Sequence, residues 1–207
     1  MARLSRDFFD RDTLTVSREL LGKYLCRRLE SGELLTLRLT ETEAYIGRCD
    51  KACHAYGGRR TARTEPLFLP PGHAYIYLIY GMYHCLNLVT EPEGEPAAVL
   101  LRAGEAVLGR DTIRRLRFGD APWNAYRRKN FLNGPGKLCE GLSLTRAQNR
   151  MDLMGDTLFL CDDPADLGLP PPPEKRRETI RTSPRIGIDY AEEARDFPWR
   201  FELIRED

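Results

Sequence analysis

The chain has no uninterrupted apolar stretch approaching the ~18–20 residues of a membrane-spanning helix, so a helical membrane anchor is not expected. Its beginning, MARLSRDFFDRD, is studded with charge and has no hydrophobic signal region, and secretion is not expected either. An excess of charge is also missing: 32 basic residues face 31 acidic ones, a net +1, and the total does not announce a polyanion partner. The six cysteines, at positions 26, 49, 53, 85, 139 and 161, lack the density of a disulfide scaffold and suit a reducing compartment. The tightest group is Cys49-x-x-x-Cys53-His54, and a zinc site would want a fourth ligand at a recognisable spacing where no second pair occurs. No metal and no cofactor is therefore expected. Internal repeats and a convincing domain boundary are absent too, and residues 1–207 read as one domain. The proline run at 170–173 is the best linker candidate, but the segment beyond it is too short for a second core, and an extended surface crossover is expected there.

Charge that is absent from the total is present in the distribution. Residues 47–64 carry a net +4 and residues 110–137 a net +6, while the C-terminal third returns negative charge through Asp162, Asp163, Asp166, Glu192, Glu193, Glu206 and Asp207. A one-sided basic surface is the electrostatic footprint of nucleic-acid binding; the plain alternative is a solvated arginine-rich face.

Asp12 and Thr13 offer N-cap chemistry for a short helix through Val16, Leu20 and Leu21, stopped by Gly22. Residues 23–30 read as a strand that Ser31-Gly32 turns into a second strand, LTLRLTETEAY, at 35–45. Leu35, Leu37 and Leu39 alternate with polar residues, and continued alternation would put Glu41, Glu43 and Tyr45 on the leucine face. Ionised carboxylates are rarely buried without a partner. Either these two pair with cations as structure, or one is a poised acid or base.

Residues 46–73 lack periodicity and form a long loop containing His54, Gly57-Gly58-Arg59-Arg60 and Pro70-Pro71-Gly72. Paired glycines among arginines let backbone amides and guanidinium groups approach phosphates. Two strand-like runs, 74–80 and 83–89, meet at Gly81 as a hairpin or bent strand. Tyr75 and Tyr77 share one face; Tyr80, beside the tip glycine, reads as an exposed aromatic wedge, and Asn87 must satisfy its amide inside an apolar strand. The strand at 96–103 carries a lone cation, Arg102, for which Glu41 or Glu43 is the natural anion. Residues 105–117 are helical in composition, Gly134-Pro135 starts another helix, 157–161 and 185–189 read as strands, and 190–195 as a short helix.

These residues resemble a known family, the alkyladenine (3-methyladenine or methylpurine) DNA glycosylases. The matching blocks are Glu41-Thr42-Glu43-Ala44-Tyr45, the segment from Gly47 through 54–58, and Tyr77-Leu78-Ile79-Tyr80-Gly81-Met82-Tyr83-His84-Cys85-Leu86-Asn87. They continue in Ala98-Val99-Leu100-Leu101-Arg102-Ala103, Gly134-Pro135-Gly136-Lys137-Leu138-Cys139 and Arg185-Ile186-Gly187-Ile188. The resemblance implies an α+β fold: a single domain with a curved, mostly antiparallel sheet, flanking helices and a protruding β-hairpin that inserts into DNA. It implies that Glu43 activates water against the anomeric carbon of a flipped nucleotide and that Arg102 orients Glu43 or the water. Tyr45, His54 and Tyr77 would line the base pocket, with Asn87 at its floor disfavouring guanine. Tyr80 would fill the gap left in the duplex, with Met82, Arg59 and Arg60 as further DNA contacts. The partner would be double-stranded DNA carrying a damaged purine, bound by a monomer in the cytoplasm near the nucleoid, or in a nucleus. Where the family has asparagine after Arg63 this chain has Thr64, a change expected to weaken a local backbone contact, and Cys49 and Cys53 lie outside the family pattern. Two other readings compete: a sugar hydrolase using Glu41 and Glu43 as a carboxylate pair, and a binding module stacking single-stranded bases on its tyrosines.

Overall fold

The computed structural model describes residues 3–168 and 178–205. Two short helices, α1 (Arg6–Phe9) and α2 (Thr13–Glu19), open the chain. Asp12 caps α2 by accepting the Thr15 backbone N–H at 2.8 Å, and the helix buries Val16 against the sheet. The remaining strands and helices, in chain order, are β1 (Tyr24–Arg28), β2 (Leu34–Ile46), β3 (Ala74–Ile79), β4 (Tyr83–Thr90), β5 (Ala97–Leu108), α3 (Arg110–Phe118), α4 (Ala125–Lys129), α5 (Pro135–Gly141), β6 (Leu158–Cys161), β7 (Glu178–Ser183) and β8 (Arg200–Arg205). The strands form one eight-stranded antiparallel sheet in the order β3-β4-β5-β2-β1-β6, with β8 on β2 and β7 on β8. This is the α+β class expected. The proline run at 170–173 lies outside the described residues. No helix among the described residues is long and apolar enough to cross a membrane.

β2 is the central strand. One edge pairs with β5 along most of its length; the other is shared, by β1 over the first half and by β8 at residues 41–43. One face of the sheet buries Leu35, Leu37, Leu39, Leu86, Leu88, Val99 and Leu101 beneath α2 and α5. The opposite face carries a second cluster around Tyr75, Val89 and Ala98, covered by Cys53, Ala55, Leu67 and Phe68 of the 46–73 loop. That loop contains two single 3₁₀ turns, Tyr56–Gly58 and Glu65–Phe68, and packs through these apolar residues.

The alternation in β2 does not continue as the sequence suggested. Register shifts fall between Leu39 and Glu41 and between Glu41 and Thr42, leaving Thr40 as an extra residue on β2 and Arg102 as an extra residue on β5. Each bulge exchanges the faces of the residues beyond it. Thr42 then shares the leucine side, its hydroxyl donating to the Ser17 carbonyl of α2 at 2.8 Å. Glu43 and Tyr45, opposite Leu100 and Ala98, turn to the other face, away from Leu35, Leu37 and Leu39.

Three further expectations are corrected. Residues 105–108 are not helical: β5 runs on to Leu108, with Ala106 opposite Leu37, and the helix starts only at Arg110. Gly109, at φ 72°, makes the change of direction, and a Cβ there would lie 2.4 Å from the Leu35 side chain. Residues 185–189 are not a strand, because Gly187 takes φ 76° and the Ile186 N–H is spent on a carboxylate instead of a ladder. The short helix expected at 190–195 is a 3₁₀ turn over Glu192–Asp196, and the final strand is β8.

Gly47 closes β2 against the start of β5, its N–H donating to the Pro96 carbonyl at 2.9 Å. A Cβ at this position would lie 1.9 Å from that same oxygen. Gly47→Ala is expected to cost about 1–3 kcal/mol, which for a chain of this size is a fall of roughly 2–12 °C in Tm. A thermal melt superimposable on the wild type would remove this contact as a constraint.

Candidate active site

Glu43 is fully buried, at 0% exposure, and its partners come from its own strand, from β5 and from the turn around Gly187. Oε1 accepts the Ile186 backbone N–H at 2.8 Å. Oε2 accepts the Tyr45 hydroxyl at 2.8 Å and lies 3.3 Å from NH1 of Arg102. Burial pushes the carboxyl pKa above its ordinary value, and Arg102, the Ile186 N–H and the Tyr45 hydroxyl pull it partly back. Glu41 is placed differently. Its Oε1 takes Nε of Arg102 at 2.8 Å and Nε of Arg200 at 2.6 Å, so it is committed to two guanidinium groups. The two carboxylates are thus not an equivalent pair facing one space.

A cavity of about 440 Å³ opens beside Glu43, within the ~300–1,000 Å³ typical of ligand sites. Tyr45, Arg102 and Ile186, the three residues bonded to Glu43, all belong to its wall. His54, Tyr75, Tyr77 and Asn87 line the rest, with Tyr80 at the rim. Asn87 is anchored by Nδ2, which donates to the carbonyls of Tyr75 (3.1 Å) and Cys85 (3.4 Å).

His54 stands edge-on to Tyr77, ring centroids 4.6 Å apart. Its Nε2 faces a guanidinium nitrogen of Arg63 at 3.3 Å, which can only donate, so Nε2 accepts and Nδ1 carries the proton toward the Tyr75 hydroxyl at 2.9 Å. Burial, aided by Arg63, lowers the imidazole pKa to about 4, and the ring is neutral at physiological pH.

Behind Tyr45 lies a second buried ion pair. Arg185 and Asp50, both with side chains at 0% exposure, bond through two N–H···O contacts of 2.5 and 2.8 Å. Arg185 also donates to the carbonyls of Ala44 and Ala194 at 2.8 and 3.0 Å, and its guanidinium lies 4.7 Å from the Tyr45 ring centre. This clamp joins β2, the 46–73 loop and the 184–197 segment, and it fixes the neighbouring Ile186 N–H on Glu43.

At the rim, Tyr80 is 80% exposed at the tip of the β3–β4 hairpin, and Tyr80 and Gly81 both have positive φ, 53° and 71°. Met82, the next residue, is also exposed to solvent. Arg60 is engaged by Glu65 through two contacts of 2.8 and 2.7 Å, whereas Arg59 makes no side-chain hydrogen bond or ion pair among the described residues. The Thr64 hydroxyl accepts the Thr61 N–H and donates to the Arg59 carbonyl, both at 2.8 Å, so this side chain pins the arginine loop instead of loosening it. Cys53 is buried under the loop and Cys49 is exposed; among the described residues no three His, Cys, Asp or Glu side chains converge as metal ligands.

The sequence model of the methylpurine-DNA glycosylases matches residues 7–206. The chain belongs to this family. A Clostridium perfringens protein is 47% identical over 203 residues, covering 97% of this chain and 95% of its own length. Relatives from Methanocella arvoryzae and Clostridioides difficile are 50% and 44% identical over 202 residues, covering 97% of this chain and 92% and 100% of their own lengths. All three bear the provisional name 3-methyladenine DNA glycosylase.

For a methylpurine-DNA glycosylase, the sequence brings Glu43, Tyr45, His54, Tyr77, Asn87 and Arg102 into view, and the fold gathers all six around one cavity. Sequence reasoning misses Tyr75, Arg63, Ile186 and the Asp50–Arg185 pair. A lone arginine in the apolar run at 185–188 is the available signal for that pair.

The low pKa of His54 has a consequence for stability. The unfolded imidazole takes its proton near pH 6.5 and the folded one near pH 4, so between these values the unfolded chain binds more protons. The contribution of His54 is complete above pH 6.5 and is lost as the pH falls toward 4. Denaturation midpoints measured from pH 7 to pH 4.5 are expected to drop more steeply for the wild type than for His54→Asn, and parallel slopes would rule the buried neutral ring out.

Proposed function

We propose that this chain is a monofunctional DNA glycosylase of base-excision repair that hydrolyses the N-glycosidic bond of alkylated purines. It acts as a monomer on double-stranded DNA, after the damaged nucleotide has turned out of the stack, and leaves an abasic site. The observation that carries this reading is Glu43: a fully buried carboxylate with a raised pKa, held by three protein donors directly behind the wall of an aromatic cavity.

Breaking an N-glycosidic bond builds positive charge on the sugar, and a nearby carboxylate both stabilises that charge and takes a proton from the attacking water. A raised pKa suits such a base, because its proton affinity is brought closer to the working pH. Arg102 keeps the carboxylate ionised and oriented. Alkylation at a ring nitrogen already makes the purine a good leaving group, and no acid is needed to release it.

Recognition follows from the wall of the cavity. Tyr45 and Tyr77 offer ring faces to the extruded base, and electron-rich aromatic faces attract a cationic alkylated purine. A neutral His54 adds no repulsion to it. Asn87, immobilised by two backbone carbonyls, supports discrimination against a purine bearing an exocyclic amine at the floor. Unstacking costs a few kcal/mol, less at a damaged base, and stacking in the cavity offsets it. Tyr80 supports capture by filling the vacated position, while Arg59, Met82 and the arginine-rich loop contact the flanking backbone.

The decisive assay incubates the protein with duplex DNA carrying a methylated or deaminated adenine, then treats the product with alkali. Strand breaks at the lesion are expected, and none across several alkylated purines would sink the reading. Glu43→Gln is expected to lower cleavage by about 10²–10⁴-fold while leaving duplex affinity largely intact; undiminished turnover would remove Glu43 as the base. Tyr80→Ser forfeits one stacking contact, about 1–3 kcal/mol, and should weaken binding to a lesion-bearing duplex by roughly 5–150-fold. Unchanged capture would make Tyr80 a bystander.

A further inference from the structure

A file of ion pairs runs from the solvent-exposed margin of the sheet to the proposed base. Arg181 meets Glu202 at 3.0 Å, Glu202 meets NH2 of Arg200 at 2.7 Å, and Nε of Arg200 meets Glu41 at 2.6 Å. Glu41 meets Nε of Arg102 at 2.8 Å, and NH1 of Arg102 lies 3.3 Å from Glu43. Side-chain exposure is 60% at Arg181, 15%, 16%, 13% and 11% at Glu202, Arg200, Glu41 and Arg102, and 0% at Glu43. Everything after Arg181 is therefore shielded from water, where charges act on one another strongly.

Arg200 holds a particular place in this file. It lies directly across the ladder from Glu43, yet its guanidinium reaches past to Glu41, with NH1 tied to the Ser183 hydroxyl at 3.0 Å. Arg102 has two carboxylates to choose between. Its contact with Glu41 is the shorter, and an unshared Glu41 would draw it away from Glu43. Arg200 occupies the same Glu41 oxygen that Arg102 uses, Oε1, and so divides that attraction.

We propose that Arg200 is a positioning residue: by sharing Glu41, it holds the Arg102 guanidinium on Glu43. The groups facing Glu43 are Glu41 and Tyr45 of its own strand, Arg102 of β5, Cys85 of β4, Tyr77 of β3 and the Ile186 N–H. Arg102 is the cation among them, so its position governs how readily Glu43 ionises. Loss of the charge at Arg200 lets Arg102 lean toward Glu41 and leaves an unbalanced negative charge close to the base. Both changes favour protonated Glu43.

This role rests on Glu43 being the base. It is tested by single-turnover base release from a duplex carrying a methylated purine, measured from pH 5 to 9 on the full chain. Arg200→Met is expected to move the acid limb of the profile up by about one pH unit, with an approximately tenfold loss below the limb and unchanged duplex affinity. Arg200→Lys keeps the charge and should return most of the shift. Glu41→Gln supplies an independent sign: it removes the competitor for Arg102, so its acid limb should move down. A limb in Arg200→Met that coincides with the wild type overturns the role, as does a loss confined to duplex affinity or a Glu41→Gln limb that moves up. Failure of the wild type to release any base overturns the glycosylase reading as well, whereas an active wild type with an unmoved variant limb overturns the role of Arg200 alone.

Discussion

A carboxylate walled off from bulk solvent must find its stabilisation inside the protein. An ionised group left alone in an apolar interior would take up a proton or unfold its surroundings. Glu43 meets this requirement with one partner from its own strand, one from β5 and one from the turn around Gly187. The β5 and Gly187-turn partners cannot be in place before the sheet is assembled. The site is thus a product of tertiary structure, and the elements that supply its donors are bound to one another as much as to Glu43.

The Asp50–Arg185 pair shows how that binding is arranged. Buried ion pairs gain little net stability over apolar packing, but breaking one typically costs about 3–5 kcal/mol because a charge is stranded. Here the pair sits where three irregular or semi-regular segments converge, and Arg185 caps two carbonyls and stacks on Tyr45 besides. Regular hydrogen-bond ladders cannot hold a loop such as 46–73, so charge and apolar contacts do it.

How much of this could be read from the residues depends on whether their partners were near in sequence. The N-cap at Asp12, the hairpin around Gly81 and the apolar strands rest on local pattern, and all appear in the fold. The demand that Arg102 find an anion was also legible, since a cation in an apolar strand must pair. The failures were of a different kind. Alternation along 35–45 counted two residues per repeat, and a bulge adds one residue without altering composition, so the face of Glu43 was misjudged. Residues 105–108 and 185–189 were misread because glycines at positive φ, Gly109 and Gly187, redirect the chain at points where propensity alone favours continuation. The Asp50–Arg185 clamp joins residues 135 apart, and nothing near either one names the other.

The compensating bulges carry a consequence for how the chain reaches this state. Thr40 and Arg102 are the odd residues of two neighbouring strands, and each cancels the offset introduced by the other. Were β2 and β5 to zip together from the Leu37 end without looping out both, Glu43 would be driven among the leucines and Thr42 into the cavity. Such a misaligned sheet would keep most of its backbone hydrogen bonds and still have to be undone, because it buries a carboxylate with no guanidinium or amide to meet it. The same electrostatic penalty that shapes the finished site therefore also edits the pairing of the strands, and the charge proposed to do the chemistry acts as a proofreader of the fold.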